Sequence, residues 1–68
     1  MDNWYLLYTT RDLSRANIIK GMLEENSVPV MLVNKKSSSY IMFGDIELYV
    51  PDHSKNVAKE LIDKGMSD

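Results

Sequence analysis

The chain has 68 residues, a formal net charge of −2 and no cysteine, which limits it to one small domain without disulfides or thiolate metal sites. Its apolar fraction of 44% is that of a globular protein and argues against disorder. The acidic balance gives no electrostatic reason to bind a phosphate backbone, and the longest apolar runs are far too short to cross a bilayer.

The first predicted element is a strand. Trp4-Tyr5-Leu6-Leu7-Tyr8-Thr9 is aromatic and β-compatible. The pattern leaves open whether Trp4-Leu6-Tyr8 or Tyr5-Leu7-Thr9 faces away from a core. Asp12 is placed as an N-cap, and the residues from Leu13 to about Asn26 follow a helical period. Leu13, Ala16, Ile19 and Leu23 share one stripe, with Ile18 and Met22 on its flank. Gly21, in mid-helix, is explained either by a close approach of another element or by simple tolerance. Asn26 and Ser27 end the helix.

Residues 28–33 predict a second strand, with Pro29 confined to its start or to an edge. Residues 34–39 form a polar loop, and Lys35, Lys36, Ser37, Ser38 and Ser39 are expected to be its mobile part. Tyr40-Ile41-Met42-Phe43 is apolar again. Gly44-Asp45 reads as a hairpin turn, or as a bulge inside one long strand running to Val50. Ile46, Leu48 and Val50 alternate with Glu47 and Tyr49, the pattern of a half-buried strand. Pro51 breaks it, and Asp52 or Ser54 caps a second helix. That helix carries Val57, Ala58, Leu61 and Ile62 as its core stripe and Gly65 as the C′ residue that ends it.

The order is therefore β-α-β-β(-β)-α within a single domain spanning residues 1–68. Two amphipathic helices need one sheet face on which to bury their stripes. The expected fold is α+β, a two-layer ferredoxin-like sandwich with an antiparallel-containing sheet and both helices on one face. The other face stays open. With Ile46, Leu48 and Val50 turned inward, Met31, Val33, Glu47 and Tyr49 become the interaction face.

This pattern resembles a family of small bacterial domains described as signal-transducing proteins. The residues that carry the likeness are Tyr8-Thr9, Ala16, Ile19-Lys20-Gly21, Leu23-Glu24, Val28, Leu48-Tyr49-Val50, and Ala58 with Leu61 and Ile62. It spans the chain from Trp4 to about Lys64, and Asn26-Ser27 departs from the glycine-containing helix exit usual there. The resemblance implies a ferredoxin-like unit similar in shape to nitrogen-regulatory PII proteins, with a mobile loop at the position of residues 34–39. It does not carry over a nucleotide site.

No catalytic, cofactor or metal constellation is expected. His53 is the sole imidazole, and its neighbours Asp52 and Ser54 point in different directions from a helix start. Lys35 and Lys36 lack the glycines that let backbone amides converge on a phosphate. The aromatic strands lack the basic residues of RNA-binding sheets. The acid at Asp2 is unlike a secretory leader, and with the missing cysteines it points to a soluble cytoplasmic protein. The function expected is a non-catalytic binding or regulatory module acting through the sheet face and loop 34–39. Its partner is an unknown protein or a second copy through the open face, not nucleic acid or membrane. The alternative is a small-ligand sensor for a nucleotide or other anion at Lys35 and Lys36.

Overall fold

A computed structural model describes residues 3–34 and 46–66. The expected mobile segment 35–39, the apolar run 40–43 and the Gly44-Asp45 turn lie outside these residues. The elements are β1 (Trp4–Thr10), α1 (Leu13–Glu25), β2 (Met31–Asn34), β3 (Ile46–Pro51), a 3₁₀ turn (Asp52–Ser54) and α2 (Lys55–Met66). The three strands form one sheet in the order β1-β3-β2, and β3 runs antiparallel to both neighbours. β1 and β2 are thus parallel to each other, with α1 between them in sequence and β3 between them in space.

Local chemistry fixes both ends of α1. Asp12 is extended, and one of its carboxylate oxygens accepts from the Ser14 and Arg15 amides at 3.0 and 3.3 Å. These are two of the donors that a helix start otherwise leaves unpaired. At the other end the chain closes a Schellman motif. The Ser27 amide donates to the Glu24 carbonyl at 3.0 Å and the Val28 amide to the Leu23 carbonyl at 2.9 Å. Val28 and Leu23 are themselves buried together, which supplies the apolar contact that accompanies the motif.

The motif needs a left-handed residue at its C′ position, and Ser27 takes it with φ 66°. A side chain there is strained where glycine is not. Ser27→Gly is therefore expected to stabilise the fold by about 0.5–1 kcal/mol, since relief of strain outweighs the added freedom of the unfolded chain. For a domain of this size that is a rise in melting temperature of roughly 2–8 °C, read by circular dichroism. A fall in melting temperature would contradict this account of the helix exit.

The core is one cluster. Ala16, Ile19 and Leu23 of α1, Val28, Ile46, Leu48 and Val50 of β3, and Ala58 of α2 are all buried. Alternate residues of a strand share a face, so both helices pack on the Ile46-Leu48-Val50 side of the sheet. The expected layer arrangement is the observed one, an α+β fold with a three-stranded antiparallel sheet and two helices.

Several local expectations are corrected. Leu13 is 49% exposed and Val57 52% exposed. At 100° per residue, Leu13 lies about 90° from the centre of the Ala16-Ile19-Leu23 stripe, and Val57 is about as far from the Ala58-Leu61-Ile62 stripe. Strand pairing of β2 begins at Met31 rather than Val28. The residues before it, including Pro29, lead in from the helix exit. A 3₁₀ turn precedes α2; it opens at Pro51 without a side-chain cap, and its Asp52 carboxylate lies 3.6 Å from Lys55 Nζ. Gly65 does not end α2, which continues through Met66. It is a contact residue: a Cβ placed there would stand 2.6 Å from the Met22 Sδ of α1. A Cβ at Gly21 meets nothing within 4 Å, so the glycine of close approach is Gly65 and Gly21 is merely tolerated.

Candidate functional site

The open face of the sheet is set by its register. β3 residues pair across both ladders, so each position on it defines a row of side chains on one face. Leu6, Tyr49 and Met31 form one row, and Thr9, Glu47 and Val33 the next. Trp4 pairs with Pro51 at the end of the same face. The rows containing Val50, Leu48 and Ile46 point the other way, into the helices.

Met31, Val33, Glu47 and Tyr49, the four residues expected to face away from the helices, stand together on that side of the sheet. To them the structure adds Trp4, Leu6 and Thr9 from β1. Neither of the alternating sets considered for that strand is correct as a whole. The ladder shifts between Leu6 and Tyr8, which makes Leu7 an extra residue on β1 and reverses the alternation there. Before the shift Trp4 and Leu6 face outward and Tyr5 inward; after it Thr9 faces outward and Tyr8 inward. The run Trp4-Tyr5-Leu6-Leu7-Tyr8 is apolar or aromatic at every position, so no alternation in it marks where the extra residue falls.

Tyr49 is the centre of this face. It sits on the middle strand between Leu6 on one side and Met31 on the other, with Leu6 42% and Met31 38% exposed. Its hydroxyl donates to Glu47 Oε1 at 2.7 Å, along the same face of β3. Loss of that proton to solvent would leave a phenolate beside the Glu47 carboxylate and break the hydrogen bond. The hydrogen bond, then partial burial, then the Glu47 charge together raise the Tyr49 pKa above its usual 10.0.

The phenol is therefore a neutral donor on an apolar face at neutral pH. Because its pKa is raised on folding, its contribution to stability is complete below the unfolded value and is lost as pH climbs through the folded value. Glu47→Gln is expected to bring the Tyr49 titration back toward 10.0 and to weaken the loss of stability above that pH. Ultraviolet titration of the phenolates in both proteins checks this. An unchanged high-pH curve would rule out Glu47 as the cause.

On the helix side, the inward Tyr5 ring lies under α2, with Lys55 Nζ 5.4 Å and Lys59 Nζ 5.1 Å from its centroid. Beside it, Leu7 and Tyr8 of β1 and Lys59, Glu60, Ile62 and Asp63 of α2 line a groove of about 360 Å³. His53 is exposed in the 3₁₀ turn. Among the described residues no three His, Cys, Asp or Glu side chains gather in a metal-binding group, and no helix is long and apolar enough to cross a membrane. Lys35, Lys36, Ser37, Ser38 and Ser39 lie outside the described residues.

Neither a curated protein nor a solved structure matches the chain. A family model does match, over residues 4–65, which takes in every strand and nearly all of both helices. On that match the chain belongs to the DUF2007 family, described as "Putative prokaryotic signal transducing protein".

Proposed function

We propose that this chain is a non-catalytic binding and regulatory module that relays a signal by docking another protein on its open sheet face. The observation that carries the reading is the pair of cross-strand rows, Leu6-Tyr49-Met31 and Thr9-Glu47-Val33, uncovered by either helix. Contiguous apolar patches are uncommon on monomers and mark contact surfaces. Aromatic and methionine side chains are enriched at such interfaces, and Tyr49 offers both an apolar body and a fixed polar tip. Glu47 puts a carboxylate at the middle of the face, which disfavours a phosphate backbone there. Family membership supports the signalling role.

The finer reading is a ferredoxin-like, PII-like domain working in the bacterial cytoplasm without a cofactor, consistent with the absence of cysteine. The alternative, a nucleotide or anion sensor, rests on Lys35 and Lys36, which lie outside the described residues. A second copy of the chain is one candidate for the docked protein.

A photo-crosslinking residue at Met31 in cells tests the reading, with the same residue at Ile18, 68% exposed on α1, as control. The expected result is a defined protein adduct from position 31 and not from position 18. Binding of that purified protein should then be lost in Leu6→Glu, whose melting curve should stay close to that of the parent. Equal labelling from both positions, or none, would sink the sheet face as the working surface.

A further inference from the structure

The two edges of the sheet are unlike. Among the described residues β2 is an edge of four residues, with Pro29 shortly before it and Lys35-Lys36 directly after it in sequence. Short strands, proline and lysine are the devices by which proteins keep an edge from pairing with another chain. β1 is an edge of seven residues, Trp-Tyr-Leu-Leu-Tyr-Thr-Thr, without a charge or a proline, and the bulge at Leu7 is the one protective device it carries. Its only strand partner among the described residues is β3. Such a segment combines high β-propensity with an unpaired row of amides and carbonyls, the composition of a strand that recruits another.

Beside that edge lies the groove between β1 and α2. It is lined by residues of these two elements alone, and β1 is an edge of the sheet among the described residues. Its floor is Leu7, Tyr8 and Ile62, and its rim is Lys59, Glu60 and Asp63. A strand added to β1 would lay alternate side chains over this floor.

The rim decides which strand. If two copies pair β1 to β1 antiparallel about a two-fold axis, each α2 meets its symmetry mate antiparallel on the same side of the sheet. Lys55 and Lys59, toward the start of one α2, then face Glu60 and Asp63, further along the other. The pattern is complementary to itself. We infer that the outer edge of β1, with the groove against α2, is a homodimerisation surface that joins the sheets of two copies, three strands each among the described residues, into one continuous sheet. The inference does not depend on which protein covers the open face, but it places two such faces side by side. Pairing one strand edge and one helix flank buries little area, so the dimer is reversible and depends on concentration.

Sedimentation velocity and amide hydrogen exchange on the full chain test it with two charge-reversed variants, Glu60→Lys/Asp63→Lys and Lys55→Glu/Lys59→Glu. The parent is expected to dimerise, with exchange of β1 amides slowing as concentration rises. Each variant alone should dimerise at least about tenfold more weakly, because like charges now face each other, and the equimolar mixture should recover association. Circular dichroism confirms that each variant is folded; should Lys55→Glu/Lys59→Glu lose its fold with the Tyr5 contacts, weakening in Glu60→Lys/Asp63→Lys and the exchange of β1 still decide. A parent monomeric at millimolar concentration overturns the proposal. So does a dimer that ignores the charge reversals and is broken instead by Met31→Lys on the open face.

Discussion

Leu48→Ala is expected to cost about 3–5 kcal/mol and to leave a large share of the chain unfolded at 25 °C. Leu48 is fully buried at the centre of β3, the strand to which both others are bonded. It pairs with Tyr8 on one side and Leu32 on the other, and all three pack into the cluster beneath the helices. Truncation removes the apolar transfer term and leaves a cavity that three strands and a helix would have to shift to fill. A domain of this length holds only about 3–10 kcal/mol in total, so the loss is comparable to the whole. Urea denaturation followed by circular dichroism measures it. Val33→Ala, one position on along the open face, removes a half-buried side chain with no helix above it and is expected to cost less than about 1 kcal/mol. Equal costs for the two would mean that the sheet has no inner and outer face.

Much of this arrangement was legible in the residues because β3 obeys a strict period of two. Its alternation of Ile46, Leu48 and Val50 with Glu47 and Tyr49 fixes the face of every residue paired with it, and so predicts Met31 and Val33 correctly. Asp12 was legible for a similar reason, since a capping carboxylate acts within three residues of itself. β1 was not, because a bulge is a property of the ladder rather than of the strand. The extra residue is set by what β3 presents, and the Leu6-Leu7 pair alone does not say which leucine is spare.

Gly65 illustrates another limit. A glycine near the end of a helical stretch looks like a helix terminator, and the sequence contains no sign that Met22 of a different helix approaches it. Its role follows from tertiary packing. The groove beside β1 has the same origin, since it exists only where α2 meets a strand far earlier in the chain.

Ala58→Leu and Val57→Lys, at neighbouring positions of α2, should behave oppositely. Ala58 is fully buried in the shared core, and its small side chain sets how closely the helix approaches the sheet. Leucine adds bulk where no space is left, and overpacking of this kind costs about 1–3 kcal/mol through shifted rotamers and backbone. Val57 lies about 100° around the helix, half exposed, and lysine there keeps its stem on the protein and its ammonium in water. It is expected to change stability by less than about 0.5 kcal/mol. The pair is read in one urea titration each. If Val57→Lys were the costlier change, the stripe would be centred nearer Val57, α2 would be rotated on the sheet, and Lys59, Glu60 and Asp63 would no longer line the groove beside β1. The charge pattern that selects a second copy depends on that rotation, so the same two variants test whether its geometric premise holds before any association is measured.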